Sequence, residues 1–274
     1  MSTILSNRVQ KVKPSATMAV SDKAKELKSQ GIQIISMGSG EPDFDTPVNI
    51  QKAAITAIGS GDTRYTPADG TAELKKAVCE KFKRENGLDY SLNEVMVSCG
   101  GKQVFYNLCQ AILNEGDEVI IPTPYWVSYP DMAILADATP VFIEAGLEQD
   151  FKITPDQLEA SITDKSKLFV LNSPSNPTGS VYSESEIKAL GEVLKKYPQV
   201  LTISDDIYEH IRWGDDDFVN IAMACPELKD RVVILNGVSK AYAMTGWRIG
   251  YAAGPETVIK AMKKIQGQST SNPS

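Results

Sequence analysis

The residue in this sequence best suited to nucleophilic chemistry is Lys240. It follows the apolar run VVILN and the small residues GVS, the last of which is Ser239. A lysine in a pocket that lowers its pKa can attack a carbonyl carbon. Most lysines are solvated surface charges, so the position alone leaves both interpretations open. Arg248, eight residues further on, adds a guanidinium that can hold a phosphate through two hydrogen bonds.

Two adjacent carboxylates, Asp205 and Asp206, follow the apolar run VLTIS, and Tyr208 comes shortly after them. Carboxylates at the end of a strand often cap the next helix. The functional alternative is that one of them, held away from water, keeps a heterocyclic nitrogen protonated. Tyr208 can then hydrogen-bond the same ring.

A glycine pair, Gly100 and Gly101, follows the apolar run VMVS and precedes Lys102 at the start of a helical pattern. Glycines let backbone N–H groups approach an anion, and a helix N-terminus favours negative charge. Glycine pairs between a strand and a helix are also typical of ordinary tight turns. The pair is therefore a candidate phosphate site rather than a signature of one.

Two more segments place a flat ring and a fixed amide after apolar runs. Trp126 follows EVIIPTPY and can stack on a planar cofactor, although an aromatic anchor between helix and sheet is the plainer interpretation. Asn176 lies in SPSNPTG, where two prolines and a glycine restrict the backbone. An amide in so rigid a loop is typical of a preorganised hydrogen-bond donor, but an ordinary loop has the same composition.

Helical and strand-like patterns alternate along the chain and must position these residues. The helical patterns cover residues 15–30, 48–59, 71–86, 101–113, 125–135, 183–196 and 255–266. The short apolar runs cover residues 95–98, 118–122, 140–144, 167–172, 200–204, 232–236 and 249–254. Alternation of this kind predicts an α/β fold, a three-layer sandwich around a mainly parallel mixed sheet. Ligands of such sheets bind at the carboxyl ends of the strands, where the residues above fall.

Composition removes several functional classes. The chain has 274 residues, 42% of them hydrophobic, and a formal net charge of −7, so nucleic acid and anionic membranes are unexpected partners. No apolar stretch at the start or elsewhere predicts a secretory signal or a membrane span. Four cysteines without a CxxC pair are typical of reduced thiols, and we expect a cytoplasmic protein. A single histidine excludes a multi-histidine zinc site, and no metal is expected.

The joint arrangement is more specific than any single residue. A phosphate turn, a stacking ring, an amide, an acid with a tyrosine, a lysine and an arginine all adjoin one predicted sheet. That set matches the needs of pyridoxal 5′-phosphate. The chain resembles the fold-type I, class I pyridoxal-phosphate aminotransferases, and among them the bacterial-type aspartate aminotransferases. The motifs that carry the resemblance run through nearly the whole chain: RVQKVKPSAT (8–17), GSGEPDFDTP (38–47), YTPADGTAELKKAV (65–78), CGGKQ (99–103), PTPYWVSYP (122–130), NSPSNPTG (172–179), SDDIYE (204–209) and NGVSKAYAMTGWRIGY (236–251).

The resemblance implies a role for each candidate around the cofactor ring. Lys240 would hold pyridoxal phosphate as a Schiff base and, once released by substrate, carry a proton between the substrate Cα and the cofactor carbon C4′. Asp205 would pair with the ring nitrogen. Tyr208 and Asn176 would hydrogen-bond the ring oxygen, and Trp126 would stack on the ring.

The resemblance also implies phosphate, substrate and subunit contacts. The implied phosphate ligands are Gly100, Gly101, Lys102, Ser239 and Arg248. Ser239 is included because Gly237 stands where some relatives have a serine. Tyr65 would reach the phosphate from the partner subunit of a homodimer. Gly40, Trp126 and Asn176 would border the substrates, an amino acid and a 2-oxo acid, with aspartate and 2-oxoglutarate as the leading pair.

The resemblance further implies a domain division. Residues 1–45 would form an N-terminal arm and small-domain segment, and residues 46–274 the cofactor-binding large domain. The family's C-terminal small domain, with the arginine that binds the substrate α-carboxylate, has no counterpart in this sequence. Two alternatives to transamination stay open: a carbon–sulfur lyase with the same cofactor and fold, and a non-catalytic fragment that binds the cofactor or dimerises.

Overall fold

A computed structural model describes residues 4–14, 16–35, 37–38, 40–214 and 217–274. Residues 1–3, 15, 36 and 39, which belong to the predicted arm, lie outside this description, as do residues 215–216. Among the described helices, none combines the length and apolarity needed to cross a membrane.

Seven strands of the described chain form one mixed sheet, in the order β1-β7-β6-β5-β4-β2-β3. The strands are β1 (Val95–Ser98), β2 (Glu118–Thr123), β3 (Thr139–Glu144), β4 (Ser166–Asn172), β5 (Leu201–Asp205), β6 (Val232–Gly237) and β7 (Gly250–Ala253). Neighbours from β6 through β5, β4 and β2 to β3 pair in parallel. Only β7 runs against its neighbours β1 and β6 within this sheet. The mainly parallel mixed sheet is confirmed, and each predicted apolar run became a strand.

The antiparallel strand β7 has a consequence for the site. Gly250, its first residue, is in register with Ser98 at the end of β1 and with Gly237 at the end of β6. The segment just before β7 therefore lies at the same edge of the sheet as the carboxyl ends of the parallel strands. That places Arg248 beside the residues that follow the other strands.

The described helices agree closely with the helical patterns in the sequence. They are α1 (Asn7–Lys11), α2 (Ala16–Ser29), α3 (Val48–Gly59), α4 (Ala72–Asn86), α5 (Gly101–Ile112), α6 (Ser128–Leu135), α7 (Pro155–Ser161), α8 (Glu184–Lys195), α9 (Ile221–Ala224) and α10 (Glu256–Gly267).

Differences from the predicted helices have local causes. The predicted helix 125–135 begins only at Ser128, because the irregular segment after Pro124 extends to Val127. Helices α1, α7 and α9 were not predicted, since four to seven residues are too few for a clear helical period. The signal of α7 is at its N-terminus: Thr154 and Gln157 form a capping box, and Pro155 occupies the first turn.

The core lies in two layers, one on each face of the sheet. On one face, here called the back face, Phe82 of α4 and Leu190 of α8 pack against strand residues such as Ile234. On the opposite face, here called the site face, Phe105 of α5 and Tyr129 of α6 pack against others such as Leu235. The alternation of β6 residues between the two clusters gives the three-layer sandwich that the sequence predicted.

Candidate active site

The end of β5 places Asp205 on the site face, almost completely buried. Its Oδ2 accepts a hydrogen bond of 2.5 Å from the hydroxyl of Tyr129, and its Oδ1 accepts one of 3.2 Å from the backbone N–H of Ile207. Burial raises the pKa of this carboxyl to about 6, because desolvation outweighs the two donors. A further cationic donor would favour the ionised form.

Tyr129 is a site residue that the sequence analysis missed. It lies in the first turn of α6, nearly inaccessible to solvent, with its ring edge-on to Trp126 at 5.2 Å between centroids. Its hydroxyl points at Asp205, and burial together with that carboxylate raises the pKa of the phenol well above its usual range. The available signal was the spacing YWVSY, which sets Tyr129 one helical turn beyond Trp126.

Asp206 points to the back face, away from Asp205. The hydroxyl of Ser204 and the amide of Asn220 each donate to it at 2.7 Å, one to each carboxylate oxygen. Burial raises its pKa well above the usual range. Of the two adjacent carboxylates that the sequence offered, only Asp205 faces the other candidates.

Tyr208 and Asn176 meet next to Asp205. The amide of Asn176 hydrogen-bonds the phenol oxygen of Tyr208, while burial and the nearby Asp205 raise the pKa of that phenol. The backbone N–H of Asn176 donates to the side chain of Asn172 at 2.8 Å, and the Asn172 amide donates to the backbone oxygen of Asp205 at 2.9 Å. The rigid SPSNPTG loop is thus tied directly to the end of β5.

Lys240 lies half-buried in the loop that follows β6, with its Nζ 5.9 Å from the centre of the Tyr208 ring. Burial lowers the pKa of its amino group, the nearby carboxylate of Glu41 opposes that change, and Arg248 adds to it. The amino group donates a hydrogen bond to the backbone oxygen of Gly40. A lysine in this environment is more readily neutral, and so more nucleophilic, than a solvated one.

The N-terminal segment is held against this lysine loop by three further hydrogen bonds. The hydroxyl of Thr245 donates to Glu41. The hydroxyl of Thr46 donates to the backbone of Ala243 at 2.7 Å and accepts from the indole of Trp247 at 3.1 Å. These contacts place Gly40, 200 residues away in sequence, beside Lys240.

The glycine turn before α5 holds the guanidinium of Arg248. Gly100 has a φ of 85°, and a Cβ built on it would lie 2.2 Å from Nη2 of Arg248. A Cβ on Gly250 would lie 2.4 Å from the backbone of the same turn. The guanidinium donates to the backbone oxygens of Thr245 and Cys99 at 2.8 and 3.3 Å. The sequence therefore needs glycine here so that a cation can lie against a helix N-terminus.

Lys102 adds a second positive charge, one residue into α5. Its Nζ lies 5.1 Å from the centre of the Trp126 ring, and its pKa is lowered by burial and by Arg248. Gly101 is the first residue of α5. Two cations and a helix N-terminus, whose first N–H groups have no partners in the helix, are a donor set suited to a phosphate.

Two predicted residues have different surroundings. Ser239 is buried in the loop before Lys240. The side chain of Tyr65 is 94% exposed in this single chain. The remaining predicted residues are linked to one another by the contacts above, from Gly40 through Lys240 to Tyr208 and Asp205.

The residues that converge here fit pyridoxal phosphate on the basis of their own chemistry. A buried carboxylate with a raised pKa suits a protonated ring nitrogen, and a lysine with a lowered pKa suits an aldehyde carbon. The cradle that would disappear with a Cβ on Gly100 suits the phosphate. The ring of Trp126 supplies an aromatic surface between Lys102 and Tyr129.

Comparison with known proteins identifies the family of this chain. Residues 32–274 match the family described as aminotransferase class I and II. The aspartate/prephenate aminotransferase of Nitrosomonas europaea is 61% identical over 269 residues, which cover 98% of this chain and 68% of that protein. The protein of the same name from Cereibacter sphaeroides is 59% identical, over 98% of this chain and 67% of its own length.

Solved structures show the same similarity. The aspartate aminotransferase of Rhizobium meliloti superposes with a TM-score of 0.96 at 48% identity, covering 99% of this chain and 68% of that one. The aspartate aminotransferase of Thermus thermophilus with maleate superposes with a TM-score of 0.95 at 45% identity, covering 99% and 70%.

Proposed function

Because the chain belongs to the class I and II aminotransferases, we propose that it uses pyridoxal 5′-phosphate to exchange the amino group of aspartate for the oxo group of 2-oxoglutarate. The observation that carries this proposal is the convergence of three groups. Lys240, with a lowered pKa, lies beside the ring of Tyr208, and Tyr208 lies beside the buried carboxylate of Asp205.

The proposed cofactor contacts follow the donor set of the site. Lys240 would bind the aldehyde carbon covalently. The phosphate would lie at the start of α5 with Gly100, Gly101, Lys102, Ser239 and Arg248. Trp126 would stack on the ring, and the Tyr208–Asn176 pair would donate to the ring oxygen.

When bound, pyridoxal phosphate supplies an electron-withdrawing ring that delocalises the negative charge left on an amino acid's Cα after loss of its proton. The carboxylate of Asp205, fixed by Tyr129, keeps a proton on the ring nitrogen and so maintains that electron demand. The amino group of Lys240 would take the proton from the substrate Cα and deliver it to the cofactor carbon C4′, on the other side of the amino nitrogen. This amino group is suited to proton transfer because its pKa is lowered towards neutral pH, where the group can both accept and donate a proton.

The proposed substrates rest on the relatives. Two of them are named aspartate/prephenate aminotransferases, so prephenate is a second 2-oxo acid to test against 2-oxoglutarate. Gly40, Trp126 and Asn176 are the proposed substrate neighbours in this chain. Gly40 already lies against Lys240 through its backbone oxygen. The division into an arm of residues 1–45 and a large domain of residues 46–274 is part of the same proposal.

We propose a homodimer in which Tyr65 reaches the partner's phosphate site. Helix α3 buries none of its residues in the single chain, and Ile55 and Ile58 on it are 68% and 66% exposed. Tyr65 follows this helix and is itself exposed. Mixed dimers of Tyr65→Phe and Lys240→Ala chains would test it: if Tyr65 acts across the interface, one of the two sites is intact and binds cofactor with wild-type affinity.

The transamination proposal is tested by a half-reaction. Protein loaded with pyridoxal phosphate is mixed with L-aspartate without a 2-oxo acid. The visible absorption of the aldehyde form should be replaced by that of the amine form, with one oxaloacetate released per site. Addition of 2-oxoglutarate, or separately of prephenate, should restore the original spectrum.

Two results would contradict the proposal. If aspartate leaves the spectrum unchanged while cystathionine yields pyruvate, the carbon–sulfur lyase alternative is correct. If the protein binds the cofactor and no amino acid changes its spectrum, the chain is a cofactor-binding fragment without turnover.

A further inference from the structure

Glu209, the residue after Tyr208, is buried on the back face with both carboxylate oxygens occupied. Its Oε1 accepts from the amide of Asn86 at 2.8 Å. Its Oε2 accepts from the amide of Asn236 at 2.7 Å and from the ammonium of Lys81. All three partners are donors, so a neutral glutamine at this position could not satisfy them, since its amide offers one acceptor and one donor group.

This network joins the two segments that carry Tyr208 and Lys240. Asn236 lies near the end of β6, and its side-chain oxygen accepts from the backbone N–H of Gly237 at 2.7 Å. Gly237 is the last residue of β6, and Val238 and Ser239 follow it before Lys240. The route from Tyr208 to Lys240 behind the sheet therefore runs through the Glu209–Asn236 hydrogen bond and then along the chain from Asn236.

The same carboxylate anchors the turn to helix α4. Lys81 of α4 donates to Asn86 at 2.8 Å as well as to Glu209, and lies 3.6 Å from Glu85. His210 lies 3.2 Å from Glu85 on the surface side. Glu85, Glu209 and His210 are close enough together to suggest a cation site. The ammonium of Lys81 already supplies that positive charge.

We infer that Glu209 is a positioning residue, which holds the phenol of Tyr208 in a fixed place relative to the amino group of Lys240. The inference rests on the proposed function, in which Tyr208 donates to the ring oxygen of the cofactor bound at Lys240. Glu209 lies on the back face of the sheet, so it does not contact the cofactor ring in this proposal. Its effect on the site passes through the turn of residues 206–211, which is closed by backbone hydrogen bonds of 2.9 Å from Glu209 to Asp206 and 2.8 Å from Ile211 to Tyr208.

A positioning role and a purely electrostatic role of Glu209 predict opposite changes in the pKa of the Lys240 nitrogen when Glu209 is replaced by glutamine. Loss of the negative charge of Glu209 by itself disfavours a proton on the Lys240 nitrogen, so it lowers the pKa of that nitrogen in the cofactor-loaded protein. Loss of the hydrogen bond from the Tyr208 phenol to the ring oxygen leaves more negative charge on that oxygen. The charge holds the proton on the Lys240 nitrogen more tightly and raises the pKa of that nitrogen. Glu41 and Arg248, the other charged groups that act on Lys240, are unchanged in this variant.

The experiment is a spectroscopic pH titration of the loaded protein. We expect the pH midpoint of its visible absorption change to rise by about 0.5 to 1 pH unit in Glu209→Gln, the size of one net hydrogen bond. In a Tyr208→Phe background the same substitution should produce no rise, because the group through which it acts is gone. Glu85→Gln is the matched control: it also removes a carboxylate near Lys81 but leaves Asn236 paired, and its midpoint should equal that of the wild type.

Asn236→Ala keeps the inference testable if Glu209→Gln does not fold, and should raise the midpoint in the same direction. An unchanged or lowered midpoint in folded Glu209→Gln or Asn236→Ala would overturn the inference, as would an equal rise in the Tyr208→Phe background. A rise in Glu85→Gln as large as in Glu209→Gln would also overturn it. If the wild type forms no absorption band at Lys240, the proposed function itself has failed and the inference fails with it.

Discussion

Two neighbouring carboxylates at the end of β5, those of Asp205 and Asp206, lie on opposite faces of the sheet and accept from different donors. Asp205, on the site face, accepts from one hydroxyl and one backbone N–H, and retains capacity for a further donor. Asp206, on the back face, has a side-chain donor on each oxygen, from Ser204 and Asn220. Both are buried and both have one donor on each oxygen, so the difference that matters is direction: Asp205 faces Tyr208 on the site face, whereas Asp206 faces away from it.

Two lysines, buried Lys81 and half-buried Lys240, differ in how far the protein satisfies them. Lys81, on the back face, is enclosed by Glu209, Asn86 and Glu85. Lys240, at the site, has the backbone oxygen of Gly40 as its hydrogen-bond acceptor and a lowered pKa. For these lysines, burial alone does not distinguish the reactive amino group from the structural one; the number of partners that the protein supplies to it does.

The largest effect is expected when each of the two lysines is replaced in turn. Lys240→Ala should abolish the absorption band of the bound cofactor and reduce turnover by about 10⁴-fold or more, because it removes both the covalent attachment and the proton carrier. Lys81→Met should keep the band and lose stability instead, measured by thermal unfolding. A borohydride-reducible band that persists in Lys240→Ala would contradict the assignment.

The next test compares the two carboxylates. Asp205→Ala should retain some cofactor but lower kcat by about 10²- to 10³-fold, because the ring nitrogen is no longer kept protonated. Asp206→Ala should change kcat by less than about 10-fold and act chiefly on stability. Steady-state kinetics of both variants measure the difference, and near-normal turnover in Asp205→Ala would contradict the role proposed for Asp205.

A smaller effect is expected at the phosphate cradle. Gly100→Ala places a methyl group where the guanidinium of Arg248 lies and asks alanine to adopt a φ of 85°. The affinity for pyridoxal phosphate should fall by about 10-fold or more, while the affinity for pyridoxal, which lacks the phosphate, should change little. Equilibrium titration with both ligands measures the difference. An equal loss for both ligands would show that the turn supports the ring rather than the phosphate.

The remaining effect is on stability rather than on turnover or cofactor affinity: it is the pH dependence of unfolding without cofactor. The pKa of Asp205 rises from 3.8 in the unfolded chain to about 6 on folding, so between about pH 4 and pH 6 the folded protein holds a proton that the unfolded chain has lost. Stability from this group is present below pH 4 and lost as pH rises through 6. Asp205→Asn should therefore be more stable than the wild type above pH 6 by about 3 kcal/mol, and equal to it below pH 4. Denaturant unfolding at pH 3.5 and pH 8 checks both halves, and a gain that persists at pH 3.5 would contradict this origin.

The sequence was sufficient to predict most of the fold because its signals are local. The alternation of apolar runs with helical patterns identified all seven strands and the longer helices. Short elements such as α7 lack enough turns for periodicity, and their capping residues are the better signal. The candidate lysine and acid were predicted from residues that follow apolar runs, and the candidate arginine from its spacing after that lysine and from the motifs of a known family.

The tertiary structure decided what depends on direction and on contacts distant in sequence. The choice between Asp205 and Asp206 depends on which face each side chain points to, and the sequence left it open until the resemblance was considered. The partnership of Tyr129 with Asp205 joins residues 76 positions apart, and that of Gly40 with Lys240 joins residues 200 apart. Arg248 comes before a strand rather than after one, and only the antiparallel pairing of β7 brings it to the glycine turn. Residue types and local spacing determine which groups can react, whereas the order and direction of the strands determine which of them meet.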